Sequence, residues 1–437
     1  MRATTLASLE TDDNDNDGNN DGIPNGIGSP SSPLLVLPSA TVASISNNNS
    51  NNNSNETIPE VLIARKRPAC EVFDLPPCAS SDGLAVTKQT PVESTGGTAC
   101  NTATTPDVDV DTKTSKDYYF DSYAHHAIHE EMLKDDVRTR TYETAILQNK
   151  HLFQNKVVLD VGCGTAILSM FACQAGAKHV IGVDCSSIIH KAQRIVELNG
   201  FADRITLIQG KVEEIELPVT HVDIIVSEWM GYFLLYESML DTVLYARDKW
   251  LVPGGIIFPD KATMYICAAE DGQGKRDRIA FWENVYGFNM MPLQEVALQE
   301  PVVDVVAPDA IVTNSVAFLS LDILTCTKED LSFEADFELE VQRNDFLHGF
   351  VVYFECAFTQ VHKPIGFSTA PFARYTHWKQ TMLYLKKTLT ICQGERVKGS
   401  LKCKPNANNN RDLDIELSVK FDGQYSKMNS KSDYKLR

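Results

Sequence analysis

Residues 157–168 read VVLDVGCGTAIL, and this stretch decides the fold. Val157–Val161 is an apolar run of strand length, and Gly162 and Gly164 follow at its exit. AILSMFACQAG (166–176) then has helical length and composition. Glycines at a strand–helix turn let backbone amides approach a ligand beside a helix N-terminus. The alternation continues with HVIGVD (179–184) as a strand, SIIHKAQRIVELNG (187–200) as a helix, and ITLIQG (205–210) and VDIIVSE (222–228) as strands. MLDTVLYARDKWL (239–251) closes the series as a helix. Apolar strands alternating with helices predict an α/β fold with a parallel, doubly wound sheet.

The same turn narrows the ligand. A dinucleotide turn needs G-x-G-x-x-G, and Ile167 occupies its last position. The pattern G-x-G-x-[G/A], here Gly162, Gly164 and Ala166, suits S-adenosylmethionine (AdoMet), which has no pyrophosphate to cradle. Asp160 and Asp184 place acids at two strand ends, which suits a ligand carrying a sulfonium and an α-amino group. Asp184 stands where an acid accepts hydrogen bonds from ribose hydroxyls. A tight turn without a ligand is the plain alternative.

Outward from this core the character changes twice. Upstream, DYYFDSYAHHAIHEEMLKDDVRTRTYETAIL (117–147) reads as helices. Downstream of PGGIIFPD (253–260), the runs TMYICAA, SVAFLSLDI, LSFEADFELEV, HGFVVYFECAF, LTICQGERV and LDIELSVKF read as strands, predicting an antiparallel β-sandwich or barrel. GKRDRIAFWENVYGFNMM (274–291) interrupts them as a helical excursion rich in aromatics. The expected organisation is a tail (1–115), an α/β domain with its N-terminal helices (116–258) and a β domain (259–437).

The tail is rich in Asn, Asp, Ser and Thr, and such a segment buries too little to offset its ordering entropy. It carries 15 acidic and 6 basic residues, half of the net charge of −18. Asp13, Asp15, Asp17 and Gly18 imitate the start of a calcium loop, but Pro24 stands where a bidentate Glu is needed. Asn48, Asn52 and Asn55 begin glycosylation sequons, which stay bare without a secretory signal. RKRP (65–68) reads as a short basic patch or a nuclear signal.

The acidic balance argues against a nucleic-acid binder and for basic partners. No metal is expected, since the 11 cysteines lack zinc spacing and read as reduced thiols. No apolar run is long enough to span a membrane.

SEWMGYFLLYESM (227–239) places Glu228 and Glu237 at either end of an apolar, aromatic hairpin broken by Gly231. Two carboxylates there need a cation between them.

With YFDSYAHHAIHEEMLKDDVRT, VVLDVGCGT, KVEEIELP, WENVYGF and YTHWKQ, these motifs make the chain from about Asp117 to Arg437 resemble the type I protein arginine N-methyltransferases, the predominant animal form most of all. The resemblance implies an AdoMet-dependent methyltransferase (Rossmann-like) domain, then an antiparallel β-barrel with a helical dimerisation arm at about 274–300. It implies methyl transfer from AdoMet to arginine nitrogens, leaving S-adenosylhomocysteine and giving mono- and asymmetric dimethylarginine. Position by position, His129 and Arg138 lie on helices closing over AdoMet, with Arg138 on its carboxylate. Asp160, Gly162 and Gly164 lie at the methionine part, Asp184 at the ribose and Glu213 at the adenine. Glu228 and Glu237 hold the substrate arginine, and His377 faces the site with Asp135 as its partner. Met132, Met239, Tyr123 and Trp378 shape the substrate pocket.

Expected substrates are Arg/Gly-rich proteins, histones and RNA-binding proteins. A homodimer or higher oligomer in nucleus and cytoplasm is expected, with no direct contact to nucleic acid or membrane. Three departures stand out: Ala166 for the third glycine, Asp184 for Glu, and His126–Ala127 for Phe-Gly. They keep open a second class of function, a relative that binds basic partners without turnover. Ala166 is expected to crowd the cofactor or strain the turn.

Overall fold

The computed structural model describes residues 125–437. The expected tail and Tyr123 lie outside the described residues. Helix α1 (His126–Lys134) and helix α2 (Asp136–Leu147) are separated by Asp135 alone. Asp135 stops the first helix with extended backbone and caps the second, its Oδ1 accepting from Arg138 N at 3.0 Å. A short helix α3 (Lys150–Phe153) leads into the sheet.

Strands β1 (Val157–Val161), β2 (His179–Asp184), β3 (Ile205–Gln209), β4 (Val222–Ser227) and β5 (Leu251–Phe258) form a parallel sheet in the order β3-β2-β1-β4-β5. Helices α4 (Ile167–Gln174), α5 (Ile189–Leu198) and α6 (Leu240–Trp250) make crossovers. β1, β2 and β4 are buried almost residue after residue, as a sheet covered on both faces requires. The strand order reverses between β1 and β4, so their C-terminal loops frame the crevice where such sheets bind ligands.

Only Pro259 and Asp260 separate β5 from the antiparallel part. The Asp260 carboxylate accepts from the amide and hydroxyl of Thr359, fastening this junction. Strands β6 (Lys261–Ala269), β7 (Val302–Asp304), β8 (Val316–Asp322), β10 (Asp345–Phe358), β11 (Ile365–Ser368) and β12 (Gln380–Ile391) form one antiparallel sheet. β9 (Phe333–Glu340), β13 (Arg396–Pro405), β14 (Leu413–Asp422) and β15 (Lys427–Leu436) form the other. Burial alternates along β14, the period of a strand with one face on a core. The two sheets enclose that core as a barrel, with the Phe337 and Phe350 rings 5.5 Å apart across it. The core continues into the parallel half through Phe358, which packs on Tyr142 at 5.0 Å and Phe258 at 5.5 Å.

One segment differs from expectation. LTICQGERV is not one strand: Gly394, at φ 86°, turns the chain between β12 and β13. The excursion at 274–291 is helical in pieces, as the sequence suggests. Helix α7 (Gly272–Arg278), a 3-10 turn (Ala280–Glu283) and helix α8 (Met291–Gln299) are separated by a turn at Gly287, and Pro292 starts α8. All eight described cysteines are free thiols.

Candidate active site

The loops after β1 and β4 share one cavity of about 960 Å³. After β1, Gly162 and Gly164 have φ of 71° and 51°, and Ala166 has 64°. The amides of Gly162 and Cys163 both donate to Val183 O, at 2.9 and 3.1 Å. Gly164 N donates to Asp184 Oδ2 at 2.9 Å. The amides expected to meet a ligand are thus engaged by the end of β2. The glycines serve close approach instead: a Cβ on Gly162 would lie 2.5 Å from Met239 Cε, and one on Gly164 3.2 Å from the His129 ring.

Asp184 also accepts from Ser186 N at 2.8 Å and Ser186 Oγ at 2.7 Å. Its shorter side chain ties the loop together while lining the cavity. Asp160 lies behind the loop and does not line the cavity. Its Oδ2 accepts from Ser169 Oγ at 2.6 Å, its Oδ1 has no partner, and burial pushes its carboxyl up to about 7. Ala166 is fully buried, and its methyl does not reach the cavity, although Thr165 and Ile167 line it. The departure therefore costs backbone strain without crowding the cavity. Glu213 lines the same end, its Oε1 accepting from Thr242 Oγ1 at 2.7 Å.

After β4 the hairpin 228–239 closes on itself. Gly231 and Leu234 bridge, as do Tyr232 and Tyr236. A Cβ on Gly231 would fall 1.6 Å from Tyr236 O, so only glycine fits. Phe233, Leu234 and Glu237 hold left-handed backbone at 52°, 62° and 54°. Trp229, Phe233 and Leu234 are buried beneath, and Tyr142 OH donates to Ser227 O at 2.9 Å.

The two carboxylates differ. Glu228 Oε2 accepts from Arg138 Nε at 2.9 Å and is 2.9 Å from Arg138 Nη2, both side chains being 7 % exposed. Arg138 Nη1 donates to Met132 O and Thr139 Oγ1, each at 3.4 Å. Arg138, assigned to a cofactor carboxylate by resemblance, is here the anchor of Glu228. Glu237 is half-buried, and burial pushes its carboxyl up. The Arg411 charge opposes that shift and Asp412 adds to it.

His377 lines the cavity with its Nδ1 2.8 Å from Asp135 Oδ2, which also accepts from His377 N at 2.9 Å. Burial raises the Asp135 carboxyl, but the His377 bond and the Arg138 and His377 amides outweigh it and hold it low. Trp378 stacks on Phe367 at 5.3 Å, and its indole donates to Met230 O at 3.0 Å, fastening the hairpin to the barrel. Met132, Met239 and His129 line the cavity. Arg411 lines it too, from the loop between β13 and β14. It was not legible in sequence, because 174 positions separate it from Glu237.

Residues 158–255 match a family model described as a methyltransferase domain, and 260–424 match the arginine methyltransferase oligomerization subdomain. Protein arginine N-methyltransferase 1 of Schizosaccharomyces pombe is 60% identical over 308 residues, 70% of this chain and 91% of that protein. Its namesake in Chlamydomonas reinhardtii is 57% identical over 335 residues, 77% of this chain and 97% of that protein. The Trypanosoma brucei PRMT1 enzyme-prozyme heterotetrameric complex with AdoHcy superposes with a TM-score of 0.71 at 50% identity, covering 72% of this chain and 100% of that one. Arabidopsis thaliana protein arginine methyltransferase 10, in an open conformation, gives 0.67 at 30% identity over 73% of this chain and all of its own.

Proposed function

This chain belongs to the type I protein arginine N-methyltransferases, and we propose that it methylates arginines in basic, glycine-flanked segments such as histone tails and Arg/Gly-rich RNA-binding proteins. The observation that carries this reading is the shared cavity: both hairpin carboxylates line the space that runs to the glycine turn. The site fits AdoMet, since Gly162, Gly164, Asp184 and Glu213 line one end of the cavity of about 960 Å³ that also holds both hairpin carboxylates. Glu213 and Asp184 would hold its nucleoside end, and His129 and Gly162 its methionine end. AdoMet, when bound, supplies the methyl: a nitrogen–carbon bond forms as the sulfur–carbon bond breaks, leaving S-adenosylhomocysteine.

The chain's own residues do the rest. Glu228 and Glu237 grip one substrate guanidinium, drawing its charge toward the gripped nitrogens and leaving a lone pair on the other. Positioning of that nitrogen carries much of the rate. Arg138 keeps Glu228 in place, so the clamp has one fixed jaw. Trp229, Tyr232 and Tyr236 exclude water and strengthen the ion pairs. The proton shed by the methylated product passes to Glu237, whose carboxyl burial makes more basic. Asp135 holds the His377 ring against the cavity wall. Met132 and Met239 set the room left for a second methyl.

Acidic charge steers basic substrates to the site, so capture weakens with salt. Tyr286, Phe288 and Val296 are exposed on the 272–299 arm, at 97%, 69% and 52%, and support a homodimer or higher oligomer. Action in nucleus and cytoplasm accords with such substrates. The test is incubation with AdoMet and an Arg-Gly-rich peptide. Asymmetric dimethylarginine in the hydrolysate is expected, and a symmetric product or no methyl gain overturns the reading.

A further inference from the structure

We propose that Arg411, on the loop joining β13 and β14, is a positioning residue for methyl transfer: it pins the backbone of Glu237 and brings a cation to the same cavity wall. The loop is preorganised. Asn406 N donates to Asp412 O at 2.9 Å, Asp412 N to Asn409 O at 3.1 Å, and Asn409 Nδ2 to Asp412 Oδ1 at 2.9 Å. From this base two bonds reach the hairpin. Glu237 N donates to Arg411 O at 3.0 Å, and Arg411 Nη1 donates to Glu237 O at 3.5 Å.

Both bonds fall on the residue whose backbone is left-handed at φ 54°. A residue with a side chain persists there when its surroundings enforce it. The bonds therefore hold the conformation that aims one jaw of the clamp. Glu228 is fixed by a buried ion pair on its side chain, whereas Glu237 is fixed from the barrel through its main chain. The barrel thus completes the active site of the parallel-sheet half.

Charge adds to geometry. Arg411 and Asp412 from the loop, and Tyr236 from the hairpin, are the groups acting on the Glu237 carboxyl. Arg411 is the cation among them and opposes the rise that burial causes. A cation beside a cation-binding clamp weakens substrate capture slightly, but it keeps Glu237 ionised to receive the guanidinium.

The inference rests on Glu237 acting as a clamp, so the experiment separates the two. Full-length E237Q, R411Q and R411K are compared for kcat, KM and the pH profile of kcat/KM on an Arg-Gly peptide. R411Q is expected to lose at least about 10-fold in kcat with little rise in KM. Its acid limb moves up by about one pH unit, because Glu237 then ionises only at higher pH. R411K, which keeps the charge, returns the limb to its wild-type position. A folded R411Q with unchanged kcat and an unmoved limb overturns the inference while E237Q is inactive. Should R411Q not fold, R411A is read in its place: an acid limb moved up supports the inference, and an unmoved limb with unchanged kcat overturns it. An E237Q with normal kcat sinks the clamp itself.

Discussion

The loops after β1 and β4 leave neighbouring strands at the same switch point, and both bend through left-handed backbone. The first uses glycine at 162 and 164, and a small alanine at 166. The second puts Phe233, Leu234 and Glu237 in the same region. The first loop strips side chains from backbone that abuts Met239 and His129. The second keeps full side chains because its task is to aim one of them. Each left-handed residue there costs about 1–2 kcal/mol. Burying Trp229, Phe233 and Leu234 returns about 1.5–3 kcal/mol apiece, so packing wins and the strained hairpin persists.

The largest effects come from the two jaws. E228Q and E237Q are each expected to lower kcat about 1000-fold, since charge aimed at a reacting group is worth that much in a dry site. Their stabilities diverge. E228Q leaves the 6 % exposed Arg138 without its ion partner and costs about 3 kcal/mol in denaturant unfolding. E237Q stays within about 1 kcal/mol of wild type, no buried ion pair being broken. Equal losses of stability would show that the jaws are held alike.

Gly231→Ala separates the loops. The added methyl would sit 1.6 Å from Tyr236 O, so the hairpin shifts and both jaws move. Turnover falls about 100-fold, the scale of an ångström-sized misplacement. AdoMet affinity by calorimetry stays within about 3-fold, because that change leaves the Gly162 loop alone. A parallel loss of AdoMet binding would mean the two loops form one cooperative unit.

The first loop was legible and the second only in part. Strand runs, the glycine pair and Asp184 are local patterns, so period and spacing read them directly, whereas Asp160, expected at the ligand, turns behind the loop onto Ser169. The amide bonds of Gly162, Cys163 and Gly164 were not legible, because they depend on the shorter Asp184 folding back onto the turn. Arg138 reads from resemblance as a cofactor contact, yet its place on Glu228 needs the α1–α2 corner that Asp135 builds. Arg411 carries no sequence signal, since the fold alone brings β13 and β14 to the hairpin. The arm was legible as helical, but its break at Gly287 was not, because the aromatic run 281–288 carries no signal for where one helix ends and the next begins.

Asp160 sharpens the comparison by pH. Its carboxyl is raised to about 7 from an unfolded value near 4, so the folded protein holds a proton that the unfolded chain releases. Stability from this group is full below about pH 4 and falls as pH rises toward 7. Between pH 5 and 8 it should therefore cost about 3 kcal/mol, and Asp160→Asn should remove that slope. Melting curves of both proteins at the two pH values check it. An identical slope in the variant would show that Asp160 ionises freely, which its unpartnered, buried Oδ1 argues against.

The smallest effect is expected at Ala166. Glycine there relieves about 1–2 kcal/mol of left-handed strain. It also loosens the unfolded chain by about 0.4–1 kcal/mol and removes a buried methyl worth about 0.8 kcal/mol. These terms nearly cancel, so Ala166→Gly should shift stability by less than about 1 kcal/mol. Its methyl is fully buried and absent from the cavity wall, so AdoMet affinity should also hold within about 2-fold. A 10-fold gain in affinity would mean the alanine presses on the cofactor after all. An unchanged affinity places the whole cost of the departure in the turn, where the fold absorbs it without touching the chemistry.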